Sequence, residues 1–160
     1  MRFNATNIGV NIIIEEIFAD VKKQFPEVDA RLVPVSMKSF MLSSPNSNKI
    51  YYDPQQLIKY NFSRIALTGM MAHEFSHKVD YMRMSWLERL MIRWKYKRNL
   101  DFKRRLERDA DMITIDRGYG SELIQSIKET ESRFEKERFL RFKLTHLSLK
   151  EIETKMKKKK

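Results

Sequence analysis

The sequence predicts an α+β fold, with an N-terminal helix and a small three-stranded mixed sheet followed by a mainly helical half. Two observations carry this. Up to about residue 60, one stretch of helical period gives way to short β-branched and aromatic runs broken by proline and turn residues. After Asn61 the apolar positions keep a helical period, and serines stand where helices should start.

The elements follow in order. Between residues 8 and 25, Ile13, Ile14, Ile17, Phe18, Val21 and Phe25 share one helical face, and Pro26 ends the pattern. Strands are predicted over residues 32–35, 39–42 and 49–52, with Pro34 marking the first as an edge or irregular strand. Ser43-Ser44-Pro45-Asn46-Ser47-Asn48 is a turn by composition, and Asp53-Pro54 closes the third strand. Ser63 caps a helix running to about residue 82, and Ser85 caps another over residues 86–98. Residues 100–117 form a third, ended by Gly118 and Gly120 in C-cap positions. Ser121 and Glu122 start a fourth, carrying Leu123, Ile124 and Ile127, and a last helix is expected over residues 148–156. The expected organisation is one domain over residues 1–138 and a C-terminal extension over 139–160 with a basic tail.

Composition narrows the class. With 160 residues and 42% hydrophobic content the chain can bury a core. It has no cysteine, which excludes a disulfide scaffold and thiolate metal ligands and fits a reducing compartment. Ile12-Ile13-Ile14 is too short for a signal peptide core, and no apolar run approaches a membrane span. A cytoplasmic protein is expected, soluble or peripheral at a membrane. The net charge of +11 is compatible with nucleic acid or anionic lipid, but much of it lies in residues 93–108 and in the Lys157–Lys160 run, where a solvated tail is the simpler account.

The chemistry is carried by His73-Glu74-Phe75-Ser76-His77, a match to H-E-x-x-H inside a predicted helix. Residues i and i+4 lie one turn apart on one face, so both imidazoles can reach one ion at about 2.0–2.1 Å. Glu74, one position off, is free to take a proton from a water on that ion. Two surface histidines on an amphipathic helix are the simpler account of such a motif. Three features weigh against it: the apolar run Gly69-Met70-Met71-Ala72 precedes it, two of the chain's three histidines lie in it, and a third ligand lies downstream. That ligand is Glu107 in Glu107-Arg108-Asp109-Ala110-Asp111, 30 positions past His77. Asp111, one turn further, is expected to accept the free N–H of a liganding imidazole, with Ala110 letting helices approach closely. Taken alone, this acidic cluster beside Lys103, Arg104, Arg105 and Arg108 reads as ion pairs on a wet helix.

Together, H-E-F-S-H and E-R-D-A-D resemble the gluzincin metallopeptidases, in particular the HtpX-like and CaaX-prenyl-protease group and the small minigluzincins. The resemblance spans roughly residues 35–152 and is specific at the two motifs. It implies a zincin-like fold and one zinc ion per chain held by His73, His77 and Glu107, with Glu74 as catalytic base and Asp111 supporting the site. It likens Asn48-Lys49-Ile50-Tyr51-Tyr52 to the family's upper-rim strand, which pairs with the substrate backbone, so Ile50, Tyr51 and Tyr52 are the expected substrate-binding edge. Thr145-His146-Leu147-Ser148-Leu149 resembles the family's late T-H-P segment, with Leu147 in place of proline and no following arginine. His146 is either a donor to the oxyanion of the reaction or a residue that merely leads into the last helix.

Two features stand outside the motifs. Trp86, Leu87, Leu90, Met91 and Trp94 form an apolar stripe among Arg89, Arg93, Lys95, Lys97 and Arg98, which suits either core packing or contact with an anionic membrane surface. The extension from residue 139 could fold across the cleft and keep the protein latent. The expected function is a zinc-dependent metalloendopeptidase, a hydrolase of flexible or unfolded polypeptides. The alternatives are a basic nucleic-acid-binding or interaction module and a relative that keeps zinc as a structural staple. No nucleic-acid-binding motif supports the first, and the intact Glu74 argues against the second.

Overall fold

A computed structural model of the chain describes residues 7–158. Helix α1 (Asn7–Lys22) presents Ile14, Ile17 and Val21 to the core. It ends three residues before the last position of its apolar pattern. Phe25 arrives through tight turns instead and still packs fully buried on Phe75, with ring centroids 5.3 Å apart.

Three strands follow, β1 (Arg31–Pro34), β2 (Met41–Ser43) and β3 (Lys49–Tyr52), in the order β1-β3-β2. β1 runs parallel to β3, and β2 antiparallel to it with Leu42 opposite Tyr51. The mixed sheet and the edge position of the Pro34 strand are as expected. The assignment of Ile50, Tyr51 and Tyr52 to a substrate-binding edge is not. The 44–48 turn folds β3 back on β2, and β1 takes the other side, so both edges of β3 are paired. Ile50 and Tyr52 are buried, and the free edge on this side belongs to β2.

Asp53-Pro54 closes β3 and also opens a helix the sequence reading missed, α2 (Pro54–Tyr60). Asp53 Oδ1 accepts from the backbone N–H groups of Gln55 and Gln56, and Pro54 sits at the first helical position, where its missing N–H costs nothing. The chain then continues through α3 (Arg64–Arg83), α4 (Trp86–Arg98), α5 (Leu100–Asp116), α6 (Gly120–Arg133), α7 (Lys136–Lys143) and α8 (Leu149–Lys157). Ser63 and Ser85 cap α3 and α4 as expected, the latter with Glu88 in a capping box. Gly118, at φ 91°, takes the left-handed position after α5. Gly120 is not a C-cap: it is the first residue of α6. α7 had no counterpart in the sequence reading, and the 138/139 boundary falls inside it. Of the basic tail, Lys159 and Lys160 lie outside the described residues.

α3 is the axis of the fold, packed against α1, α5, α6 and β2. A helix with neighbours on every side needs small or apolar residues all round, and α3 buries Ala66, Gly69, Met71, Ala72, Phe75, Ser76 and Val79. Glu129 of α6 holds its start, accepting from the Ser63 backbone N–H and hydroxyl. A second cluster joins Ile115, Leu123 and Ile127 to Leu147 and Ile152, so the C-terminal residues pack against α5 and α6. No helix among the described residues is long and apolar enough to cross a membrane.

α3 and α6 approach closely at Gly69. A Cβ on Gly69 would stand 2.2 Å from the backbone oxygen of Glu122, which cannot move without shifting α6. Gly69→Ala is therefore expected to cost about 3 kcal/mol of unfolding free energy, at the upper end of overpacking costs. Urea unfolding followed by circular dichroism checks this; a change below about 1 kcal/mol would mean that the helices separate readily.

Candidate metal centre

α3 carries His73 and His77 one turn apart, and α5 crosses it with Glu107 facing both. The crossing is close because its contact residues are small: Ala72 and Ala110 are fully buried, and Ser76 Oγ meets Thr114 Oγ1 at 2.9 Å. Ala110 thus has the packing role expected of it.

The imidazoles converge on one carboxylate oxygen. Glu107 Oε2 lies 3.2 Å from His73 Nε2, 3.3 Å from His77 Nε2 and 3.5 Å from His146 Nε2. Asp111 lies behind them, with Oδ1 2.9 Å from His73 Nδ1, though without the alignment of a directed ring N–H bond, and Oδ2 3.3 Å from His146 Nδ1. Asp111 Oδ2 also accepts from the Leu147 backbone N–H at 2.9 Å, which ties the segment carrying His146 to α5. His73, His77, Glu107 and Asp111 are all buried. The structure therefore brings together His73, His77, Glu107 and Asp111, and His146 with them.

Each ionisation has a balance of causes. Burial pushes the Glu107 carboxyl up, but the His77 charge and hydrogen bonds from His73 and His77 hold it well below the usual range. Burial likewise opposes ionisation of Asp111, and the His146 charge and hydrogen bond, joined by His73, bring it below its ordinary value. Burial disfavours a charged His73, yet Asp111 and Glu107 raise it well above the ordinary value.

The donor set fits a cation. A carboxylate oxygen has two lone pairs, but three imidazole nitrogens face Glu107 Oε2 at distances long for hydrogen bonds. Ligands at 2.0–2.1 Å from a tetrahedral ion are separated by about 3.3–3.4 Å, close to the 3.2 and 3.3 Å that separate Glu107 Oε2 from His73 Nε2 and His77 Nε2. These three groups could hold one metal ion, and so could the overlapping group His73, Asp111 and His146. Nδ1 of His77 is buried without a partner among the described residues.

The site opens into a cleft of about 670 Å³. Glu74 lies on its wall, one position past His73, and its Oε2 accepts from the Ser43 backbone N–H at 2.6 Å. The Ser43 hydroxyl donates in turn to the Glu74 backbone oxygen, which joins β2 to α3 at the site. Lys78 pins the β2–β3 turn by donating to the oxygens of Ser44 and Ser47 at 2.7 and 2.8 Å, and burial lowers its pKa to about 8 against the opposing charge of Glu74. Of the three β3 residues expected to meet substrate, Tyr51 alone lines the cleft.

Some contributors escaped the sequence reading. Tyr96 of α4 donates its hydroxyl to Glu107 Oε1, leaving Oε2 to the histidines. Burial raises its pKa, with the Glu107 charge acting in the same direction, so it stays a donor. Tyr81 stacks on His77, with centroids 5.7 Å apart, and Phe142 of α7 stacks on His146 at 3.9 Å. The one signal for Tyr96 was its place four residues after Ile92, on the face opposite the tryptophans.

Comparison with protein-family models, curated proteins and solved structures finds no match.

A metal that binds the folded chain alone raises its stability by about 2.7 kcal/mol at a hundredfold excess over Kd. Thermal unfolding should accordingly shift upward with added divalent zinc and return with chelator. Tyr96→Phe is expected to weaken the affinity by about tenfold to a hundredfold, as loss of a partner behind a ligand does, measured by competition with a chromophoric chelator. Equal affinity in the variant would show that the tyrosine contact does not position Glu107.

Proposed function

We propose that the chain is a zinc-dependent endopeptidase with His73, His77 and Glu107 as metal ligands. The observation that carries this is the meeting of two histidine Nε2 atoms with Glu107 Oε2 at the base of an open cleft, with Glu74 on its wall. A three-ligand set of nitrogen and oxygen donors with open space beside it is the usual form of a catalytic rather than a structural zinc site. The likeness of the two motifs to those of gluzincin peptidases supports the same reading. When bound, zinc supplies Lewis acidity toward a water and toward a carbonyl oxygen.

The residues of the chain do the rest. Glu74 takes a proton from the attacking water and passes it to the leaving nitrogen as the C–N bond breaks and the water oxygen stays on the carbonyl carbon. The Ser43 N–H, donating to one carboxylate oxygen of Glu74, fixes the side chain and leaves the other oxygen for that proton. In its imidazolium form, with both ring nitrogens protonated, His146 donates through Nδ1 to Asp111 and presents Nε2 as a donor to the carbonyl oxygen as charge develops there. The substrate backbone pairs with β2, since β3 has no free edge and Met41, Leu42 and Ser43 line the cleft. A segment that adds a strand must be extended, so flexible or unfolded polypeptides are the substrate class.

Zinc content and casein hydrolysis, measured side by side for the wild type, Glu74→Gln and Glu107→Ala, test this. About one zinc per chain is expected in the wild type and in Glu74→Gln, with reduced zinc in Glu107→Ala and hydrolysis in the wild type alone. Loss of the general base should lower turnover by about a hundredfold or more. Zinc in all three with hydrolysis in none would make the site structural, with Asp111 as the ligand in place of Glu107. Wild-type chain that takes up no zinc would end the peptidase reading.

A further inference from the structure

The two faces of α4 are reversed relative to an ordinary surface helix. Ile92 is buried and Tyr96 points to Glu107, whereas Trp86, Leu87, Leu90, Met91 and Trp94 all face solvent. These five fall at i, i+1, i+4, i+5 and i+8, one continuous stripe. Trp86 and Trp94 are 67% and 53% exposed, in a chain that has just two tryptophans. A contiguous exposed stripe of this kind marks a surface that meets something apolar.

Its surroundings narrow the partner. Arg93 and Lys97 line one border of the stripe, and Arg98 lies over the Trp94 ring at 5.3 Å. With Arg89 and Lys95, α4 has five basic residues against the single acid Glu88. Tryptophan, with its apolar ring and polar N–H, favours the level of lipid headgroups, and basic residues beside an apolar stripe add attraction to anionic lipid. A second copy of a chain with net charge +11 would instead place like charges against each other.

We propose that α4 docks the protein on the surface of an anionic lipid bilayer, with its tryptophan stripe at headgroup depth. This stands apart from the metal reading, because no stripe residue lines the cleft that holds His73, His77 and Glu107. It has one consequence for the cleft: Arg93 and Lys97 line the cleft as well as the stripe, so a docked chain holds the cleft beside the lipid.

The two tryptophans make the test direct. Emission is recorded, and co-sedimentation measured, with vesicles of phosphatidylcholine alone and of phosphatidylcholine mixed with phosphatidylglycerol. The expected result is a blue shift and co-sedimentation with the mixed vesicles, reduced by high salt and weak with phosphatidylcholine alone. The double variant Leu87→Gln, Leu90→Gln keeps both fluorophores and changes exposed positions alone. It should lower partitioning by about tenfold or more while circular dichroism stays unchanged. Equal binding to both vesicle types would overturn the anionic assignment. A blue shift that grows with protein concentration in the absence of vesicles would replace lipid with a second copy of the chain. Unchanged emission and no sedimentation with either vesicle would overturn the proposal.

Discussion

The close crossing of α3 and α5 is the constraint on which the site depends. His73 and His77 come from one helix and Glu107 and Asp111 from another, so their distances are set by how near the two backbones lie. Ala72 and Ala110 allow the approach, and the buried Ser76–Thr114 contact fixes the register. A larger residue at either alanine would move the carboxylates away from the histidines before it touched any of them. One turn before Ala72 and His73 and on the same face of α3, Gly69 has a similar role against α6, where a side chain would meet backbone. The axial helix is thus held at two successive turns by closely packed contacts, which is how a rigid element positions functional side chains.

The arrangement behind the histidines is poor as a stabilising device. Buried charges lose their hydration, and pairing restores it only when the geometry is good. Here the contacts to Glu107 Oε2 are long, and one imidazole nitrogen has no partner among the described residues. A core selected for stability alone would fill this space with apolar residues. Departures of this kind from good packing concentrate at functional sites, and a cation at the point where the donors meet would supply what the protein groups lack.

Most of the helical half was legible because its signals are local. Ser63 and Ser85 cap where expected, the last helix lies within a residue of its expected span, and the His73–His77 and Glu107–Asp111 spacings put each pair on one helical face before any tertiary contact is known. The errors arise where the answer depends on contacts distant in sequence. Strand order follows from which edges are taken, and no pattern within residues 49–52 reports that β1 covers their far side. The opening of α2 is not legible locally because Asp53-Pro54 is both a strand terminator and a helix start, and composition does not choose between the two. Gly120 was misplaced because two glycines followed α5 and composition does not say which adopts positive φ. Tyr96 was missed because a tyrosine among lysines and arginines has no distinctive spacing, although it contacts a proposed ligand.

α4 combines these themes. Its periodicity showed an apolar stripe, yet period alone does not say whether a stripe faces the core or the solvent. The rest of the chain settles that: Tyr81 and Leu106 pack around Ile92, and Glu107 engages Tyr96, so the narrower face is the one held inward. The wider apolar face is left outside at a cost, since each large side chain kept in water forgoes about 1.5–3 kcal/mol of burial. Turning the helix over would bury the tryptophans but would remove the Tyr96 hydroxyl from Glu107 and put Arg93 and Lys97 against different neighbours. The inward face of α4 is therefore fixed by a polar contact to a proposed metal ligand. The exposure of its tryptophans is the structural consequence of that choice, and it links the geometry of the cleft to the surface beside it.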